Sequence, residues 1–383
     1  MKRWIMVAAL LLVPTMPVQA EWNLDEFLIT MWGTPEVENL DAKAKALADA
    51  DFNVVVWQGD KLDILKKHGL KGLVHVTDAD DAKGIADHPA LWAYHLGDEP
   101  YPESMFPPLA EKKKALHRLD PHHPAFINML STTGVFLRAY MEIVEPELLS
   151  YDYYQWKWGS DRYYEKLEEF REAALEADIP LAVCIGTTAN PRYGLGPSDN
   201  AEKLRQSVYT NLAYGVKGVE WFHSRDMFKK NSTELNKNGE GIAVLNKEMK
   251  TIGPVLVKLR SIGVYHTAPL FKGTREAPTE HWVHLIGEED TGGLVLGMFV
   301  DDSETNHLDD VDVDYMMVTN RDYRNSQNVV VRFQSKWLGT APWHRKKREK
   351  RTVECLNKTT GEWEQISGSA AVGFIFFIQP GDG

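Results

Sequence analysis

A regular alternation of short apolar segments and amphipathic helical segments fills the chain from residue 27 to residue 225. Eight apolar segments are each followed by turn residues, and between them lie stretches with alanine and leucine at helical spacing. Such alternation predicts parallel strands, because the crossover between two parallel strands is usually a helix. The predicted strands are Phe27–Trp32, Asn53–Gln58, Gly72–Val76, Leu91–Leu96, Ala125–Leu130, Leu148–Tyr154, Leu181–Gly186 and Gly218–His223.

The number of repeats favours a closed barrel over an open sheet. Eight strand–helix units over about 235 residues fit a (β/α)8 TIM barrel, which typically takes about 250. A doubly wound open sheet is the alternative, but the sequence has no Gly-x-Gly-x-x-Gly or phosphate-loop turn to support one. The predicted helices are 41–50, 61–68, 104–119, 162–177 and 200–214, with one near 241–259 that would close the ring.

Segments of different character flank the predicted barrel. Residues 1–20 have a basic start, a short apolar run and the small-residue cleavage signal Val18-Gln19-Ala20, which predicts a signal peptide and export to the periplasm or the cell exterior. Short alternating runs separated by Gly, Asp and Asn predict an antiparallel β-sandwich at the other end. We therefore predict a signal peptide (1–20), a catalytic barrel (21–262) and a sandwich domain (263–383).

Composition excludes several classes of partner and cofactor. The formal net charge of −12 argues against a nucleic-acid partner. No segment after the signal peptide approaches the roughly 20 apolar residues that a membrane span requires. Cys184 and Cys355 form no disulfide framework, and Cys184 is expected to be a buried free thiol. Zinc motifs and a Gly-x-Ser-x-Gly elbow are absent, so we expect no metal, no cofactor and no serine hydrolase. The oligomeric state stays open.

Two adjacent carboxylates end the fourth predicted strand, in the sequence His95-Leu96-Gly97-Asp98-Glu99-Pro100. The carboxyl ends of barrel strands form the face where such folds carry out chemistry. Period-2 alternation puts His95 and Glu99 on one face and Asp98 on the other. Both acids can therefore reach the mouth only if the strand bulges or ends at Gly97. The alternative is that Asp98 caps the next helix and Glu99 is solvated.

Other predicted strands also end in polar residues. The sixth ends in Asp152, a second catalytic candidate whose alternative role is that of a hydrogen-bonded structural acid. The eighth carries Glu220 near its end, to which we assign no role. Aromatic, histidine and arginine side chains at the strand ends could bind a sugar, because pyranose C–H faces stack on flat rings with a polar edge, although packing is the alternative for each. The predicted substrate contacts are His95, Trp32, Trp57, His75, Tyr153, Tyr154, Trp156, Arg192, Trp221 and His223.

Three segments together resemble the secreted bacterial (β/α)8 glycoside hydrolases of the β-galactosidase and cellulase clan. They are 94–100 (Tyr-His-Leu-Gly-Asp-Glu-Pro), 150–154 (Ser-Tyr-Asp-Tyr-Tyr) and 213–219 (Ala-Tyr-Gly-Val-Lys-Gly-Val). The resemblance implies that Glu99 is the general acid/base. That clan has a nucleophilic glutamate at the end of the seventh strand, whereas the seventh strand here carries no acid. Either Asp152 is the partner, or Asp98 and Glu99 resemble the Asp-Glu pair of β-hexosaminidases, in which the substrate's acetamido oxygen attacks and the aspartate orients it.

The sequence therefore predicts an exported glycoside hydrolase that acts on a carbohydrate. Glu99 would be the general acid/base and Asp152 or Asp98 the second carboxylate, with the pKa of Glu99 raised by its apolar strand and the neighbouring acids. One alternative is a non-catalytic glycan-binding protein on a degenerate barrel. Another is a surface or assembly protein that binds partners through the sandwich and the basic run Arg345–Arg351.

Overall fold

The computed structural model describes residues 22–132, 134–187, 200–279, 283–288, 291–301, 315–333, 353–368 and 373–383. The predicted signal peptide, Arg192 and the basic run Arg345–Arg351 lie outside these residues. Within the described ranges, no helix has both the length and the apolar character needed to cross a membrane. Cys184 is buried and Cys355 exposed, and both thiols are free, which confirms the absence of a disulfide between them.

Eight parallel strands form one sheet, in the order β1-β8-β7-β6-β5-β4-β3-β2. The predicted (β/α)8 barrel is therefore confirmed, and the strand bounds differ from the predicted ones by two residues or fewer. The strands are β1 Leu28–Met31, β2 Val54–Trp57, β3 Lys71–His75, β4 Leu91–Asp98, β5 Ala125–Leu130, β6 Leu149–Asp152, β7 Leu181–Gly186 and β8 Gly218–Phe222.

Asn53 joins the two strands at the ends of this order, β1 and β2. Its side-chain carbonyl accepts the Ile29 N–H at 2.8 Å, and its side-chain amide donates to the Phe27 carbonyl at 2.8 Å. The Asn53 backbone N–H also donates to the Ile29 carbonyl at 3.2 Å. Because backbone groups left without partners are costly, one side chain here replaces part of a strand ladder and closes the barrel.

We expect Asn53→Ala to lower the free energy of unfolding by about 2 kcal/mol, because backbone groups on both sides of Leu28 lose their partners. Urea unfolding followed by circular dichroism measures this change. Asn53→Asp keeps the acceptor for Ile29 and loses the donor for Phe27, so its stability should lie between those of wild type and the alanine variant. An alanine variant as stable as wild type would contradict the closing role of Asn53.

Helices surround the barrel and connect its strands. Side-chain caps begin three of them: Asn39 accepts the Ala42 N–H before the first helix, Asp78 accepts the Asp80 N–H before the third, and Asn236 accepts the Gly239 N–H before the last. The helices are α1 Leu40–Asp49, α2 Leu62–Lys67, α3 Ala79–Ala82, α4 Phe106–Leu119, α5 Val135–Val144, α6 Gln155–Trp158, α7 Ser160–Glu176, α8 Asn200–Ala213 and α9 Lys237–Leu256.

The barrel interior is apolar at one end and polar at the other. An apolar cluster fills the amino-terminal end; its buried members are Leu28, Val54, Leu73, Ala93, Phe126, Leu148 and Ala182. A larger core lies between the outward faces of the strands and the helices. The carboxyl-terminal end instead holds buried polar residues, including His95, Asn128, Ser150, Asp152 and Glu220. The apolar cluster at the amino-terminal end therefore closes the interior on that side, and the polar end opens toward the mouth of the barrel.

Small antiparallel sheets follow the barrel and form a sandwich, as predicted. One sheet has the order β12-β11-β9 and another the order β10-β13-β16, while β14 pairs with β15. Side chains of the two three-stranded sheets share a hydrophobic core that includes Leu296, Met298, Val329 and Val331. The strands are β9 Leu259–His266, β10 Val283–Ile286, β11 Leu294–Asp301, β12 Tyr315–Asn320, β13 Gln327–Phe333, β14 Glu354–Leu356, β15 Trp363–Gln365 and β16 Phe374–Ile378.

Candidate active site

A bulge at the end of β4 directs two neighbouring acids to the mouth of the barrel. The pairing of β4 with β5 shifts by one residue between His95 and Gly97, so that His95 pairs with Phe126 and Asp98 with Asn128. Since partners in a parallel sheet share a face, His95 and Asp98 both point inward, which strict alternation would forbid. The sequence required a bulge or a strand end at Gly97 for this outcome, and the strand bulges.

Glu99 follows directly in a turn. Its φ of +44° lies in the left-handed region, which costs a non-glycine residue of the order of 1 kcal/mol. Its backbone N–H donates to the Asn128 carbonyl at 2.8 Å, which holds the turn against β5. The side chains of Asp98 and Glu99 are both exposed at the mouth. The turn therefore presents two adjacent carboxyl groups to whatever enters the barrel.

A short hydrogen-bonded chain orients Asp98. The Asn128 side-chain amide donates to Asp98 Oδ1 at 3.2 Å, and the Ser150 hydroxyl donates to Asn128 Oδ1 at 3.2 Å. Partial burial in the cleft raises the pKa of Asp98, while the Asn128 hydrogen bond acts in the opposite direction. The hydrogen bond from Ser150 thereby fixes the Asn128 side-chain amide so that its N–H group faces the Asp98 carboxylate.

Asp152, the last residue of β6, lies beneath this pair and is fully buried. Neither of its carboxyl oxygens makes a hydrogen bond of standard geometry with a described residue, although its own backbone N–H lies close enough to lower its pKa. The carboxyl group of Glu99 is within hydrogen-bonding reach, and two carboxyl groups bond to each other only when one carries a proton. Burial, followed by the charges of Glu99 and Asp98, raises the pKa of Asp152 to about 8.

Glu99 is the accessible member of this pair. Burial raises its pKa first, the charge of Asp98 raises it further, and the hydrogen bond with Asp152 offsets part of the rise. Because the two carboxyl groups titrate together, the pair keeps one proton to about pH 8, where Asp152 ionises. The rise in the pKa of Glu99 therefore has two sources, its position in the cleft and the charge of Asp98.

Glu220 is a fourth acid of this cluster, and the sequence reading gave it no role. Asp152, Cys184, Glu220 and Thr30 are aligned across β6, β7, β8 and β1, so they share the inner face of the barrel. Glu220 is fully buried, and burial, followed by the charge of Asp98, raises its pKa to about 8. Its place on an inward position of a barrel strand, at the same level as Asp152, was the signal available in the sequence.

Histidine and tryptophan side chains lie beside the acids. His95 is buried and its Nδ1 lies 3.2 Å from Nδ1 of His75. The Trp32 ring packs edge-to-face against His95, with ring centroids 5.0 Å apart. Burial, followed by the charge of His75, lowers the pKa of His95 to about 4, so His95 is neutral at physiological pH. These three predicted contact residues are thus brought together at the ends of β1, β3 and β4.

The aromatic residues after β6 divide between the site and the surrounding packing. Burial, followed by the charges of Cys184, Asp152 and Glu99, raises the pKa of the Tyr154 hydroxyl, which therefore lies near the acids of the mouth. The Tyr153 hydroxyl donates to the Gly159 carbonyl at 3.2 Å, and its ring belongs to the core between barrel and helices. The Trp156 indole N–H donates to Ser207 Oγ at 3.0 Å, which directs that ring toward α8.

The structure places two predicted contact residues away from the mouth. Trp57 and Trp221 belong to the core between the barrel and the helices, and Trp221 is fully buried with its indole N–H on Asn246 Oδ1 at 2.8 Å. Strand alternation explains this, because Trp221 follows the inward-facing Glu220 and must face outward. Neither ring therefore lies at the mouth, where the sequence placed its substrate contact. His223 lies partly exposed at the rim, where its Nδ1 accepts the Arg225 N–H at 3.3 Å.

The acids of the mouth do not form a metal centre in the described structure. Among the residues that the structure describes, no group of three or more His, Cys, Asp and Glu side chains is arranged to hold a metal ion. The arrangement instead combines two exposed carboxyl groups, those of Asp98 and Glu99, with two buried ones that can hold protons, those of Asp152 and Glu220. Exposed and buried carboxyl groups side by side suit acid–base chemistry on a bound molecule.

Comparison with known proteins gives a likeness of architecture alone. No family model matches the sequence, and no curated protein matches it. An endo-β-1,3-glucanase of family GH128 from Amycolatopsis mediterranei has a TM-score of 0.40 at 13% identity, over 57% of this chain and 99% of the other. The α-L-fucosidase isoenzyme 2 of Paenibacillus thiaminolyticus has a TM-score of 0.47 at 10% identity, over 62% and 51%. A GH99 endo-α-mannosidase of Bacteroides thetaiotaomicron has a TM-score of 0.38 at 11% identity, over 53% and 80%. These neighbours are glycoside hydrolases, but at such scores the likeness carries no argument about the activity of this chain.

Proposed function

We propose that this chain is an exported glycoside hydrolase that cleaves a glycosidic bond in a poly- or oligosaccharide. The observation that carries the proposal is the exposed pair Asp98 and Glu99, with the buried Asp152 within hydrogen-bonding reach of Glu99. Glycoside hydrolysis needs one protonated carboxyl group for the leaving oxygen and a second carboxylate near the sugar ring. The mouth of this barrel supplies both kinds.

Glu99 is the general acid/base in this proposal. It is exposed, it stands at the end of a barrel strand, and its carboxyl group lies within hydrogen-bonding reach of the buried Asp152. During cleavage Glu99 gives its proton to the glycosidic oxygen as the bond to the anomeric carbon breaks, and in the return step it takes a proton from the attacking water. Asp152 holds a proton next to Glu99 but is fully buried, so it acts through Glu99.

Asp98 is the second carboxylate that meets the substrate. Of the two candidates for this role, Asp98 is exposed and Asp152 is not. Its orientation by Asn128 holds the carboxylate beside the cleaved bond, where its charge stabilises the positive charge that develops on the sugar ring. The same position would let it orient an acetamido group of the substrate, as the resemblance to β-hexosaminidases implies. Trp32, His75 and His95 form the adjoining wall of the sugar site.

The test is release of reducing sugar from a panel of neutral, N-acetylated and acidic glycans. We expect wild type to release sugar from at least one of them, and Asp98→Asn to be slower by about 10²-fold or more, because the amide cannot stabilise the developing positive charge. Glu103→Gln changes an exposed acid in the short 3-10 helix Glu103–Met105 that precedes α4; it serves as the control and should match wild type. Binding of a panel glycan without any turnover would instead support the non-catalytic alternative.

A further inference from the structure

Glu220 has no part in the proposed chemistry, yet it occupies a costly position. It is fully buried inside the barrel, directly across from Cys184 and Thr30, and neither of its oxygens makes a hydrogen bond of standard geometry. Among the described residues, no positively charged group is a cause of the shift in its pKa. An unpaired buried carboxyl group destabilises a fold, so its presence at the mouth calls for a function.

Trp32 lies beside Glu220 on the inner face of the barrel, because it comes two residues after Thr30, the strand partner of Glu220, and its backbone continues the ladder with β8. Among the described residues, the Trp32 indole N–H is the neighbour that favours the charged form of the Glu220 carboxyl group, although the contact falls short of standard hydrogen-bond geometry. Trp32 follows β1 and is half-buried. One edge of its ring therefore meets the carboxyl group inside the barrel, while part of the ring remains accessible.

The rest of Trp32 is fixed by neighbours on two sides. Its backbone N–H donates to the Trp221 carbonyl at 3.0 Å, and its carbonyl accepts the Ser224 N–H at 2.9 Å. Its ring meets the buried His95 edge-to-face, at an interplanar angle of 85°. The backbone bonds hold the position of the residue, and the contacts with Glu220 and His95 act on the orientation of the ring.

We propose that Glu220 is a positioning residue that holds the Trp32 ring against His95 as a fixed wall of the sugar site. This inference rests on the proposed function for its purpose, but the contact between Glu220 and Trp32 exists independently of it. A fixed flat ring lowers the entropy cost of stacking on a sugar, so loss of Glu220 should weaken substrate binding more than it slows the chemical step. Glu220 thereby acts on KM through Trp32.

Nuclear magnetic resonance of the indole groups tests the contact without any substrate. The cross-peak of the Trp32 indole in a nitrogen-15 correlation spectrum is identified as the one that Trp32→Phe removes. In Glu220→Leu, which has no acceptor, this cross-peak should move; in Glu220→Gln, which keeps an oxygen at the same place, it should stay near its wild-type position. A Trp32 cross-peak that is unchanged in Glu220→Leu would overturn the proposal.

Kinetics on the panel glycan with the fastest sugar release tests the consequence. Glu220→Leu and Trp32→Phe should each raise KM by about tenfold with kcat within about threefold, and the double variant should be no worse than either single one. The Glu220→Gln variant should have a KM close to that of wild type. Additive losses, or a loss confined to kcat, would contradict action through Trp32. If no glycan is cleaved, the proposed function fails while the spectra still decide whether Glu220 holds Trp32.

Discussion

Glu99→Gln is expected to lower kcat on a natural glycan by about 10²- to 10⁴-fold, because the amide keeps the shape of the side chain but cannot give a proton to the leaving oxygen. Release of reducing sugar measures the loss. Glu103→Gln removes an exposed glutamate four residues away and is the matched control, for which wild-type activity is expected. Equal activity of Glu99→Gln and wild type would remove Glu99 from the mechanism.

The choice of leaving group separates loss of the acid from general damage to the site. A dinitrophenyl glycoside of the same sugar departs without protonation, so its cleavage depends little on a general acid. The Glu99→Gln variant should therefore recover most of its deficit on this substrate in the bond-breaking step. If the deficit is the same for both substrates, Glu99 supports binding or structure and does not supply the proton.

Asp152→Asn is expected to move the alkaline limb of the pH–rate profile to lower pH by about one unit or more. In wild type the pair with Glu99 keeps one proton to about pH 8, the value to which burial and the neighbouring acids raise the pKa of Asp152. Asparagine cannot hold that proton, and its N–H would favour the charged form of Glu99. Glu99 would then lose its proton at a lower pH, and activity would fall earlier as pH rises.

The control for this experiment is Asp120→Asn, which changes a buried aspartate outside the site. Asp120 is 3% exposed and accepts hydrogen bonds from Tyr94 and His123, so its loss should reduce stability while the pH–rate profile keeps its shape. kcat and kcat/KM are measured across pH 5–10 for all three proteins, at a temperature where each remains folded. An alkaline limb that is unmoved in Asp152→Asn would show that Asp152 does not share its proton with Glu99.

The sequence predicted the barrel well because its signal is repeated and local. Each strand is a short apolar run bounded by turn residues, so all eight could be found and counted. Helices α3, α5 and α6 were not among the predicted helices: the prediction cited no helix between the fifth and sixth strands, and α3 and α6 have only four residues each. Helix α9 ends at Leu256, three residues before its predicted end, because β9 begins at Leu259.

The candidate site was harder to predict because it depends on which residues of each strand face the interior of the barrel. The bulge after His95 reverses the face on which Asp98 lies, and the sequence could state this only as a condition. Trp221 was assigned to the site from its position along the chain, although alternation from an inward Glu220 places it among the helices. The link between Glu99 and Asp152 joins two strands that are not neighbours in the sheet, which no local pattern reports.

Two buried acids at the mouth make folding of this chain a proton-binding reaction. Burial and the neighbouring acids raise the pKa of Asp152 and of Glu220 to about 8 in the folded protein, from the ordinary values of 3.8 and 4.5. Between those values the folded chain holds protons that the unfolded chain releases, so each acid lowers stability by about 1.4 kcal/mol per unit rise in pH, and its stabilising effect is fully present only below its unfolded pKa. The two acids therefore make the folded protein more stable under mildly acidic conditions. The neutral form of Asp152, which preserves the fold, is also the form that keeps a proton available to Glu99.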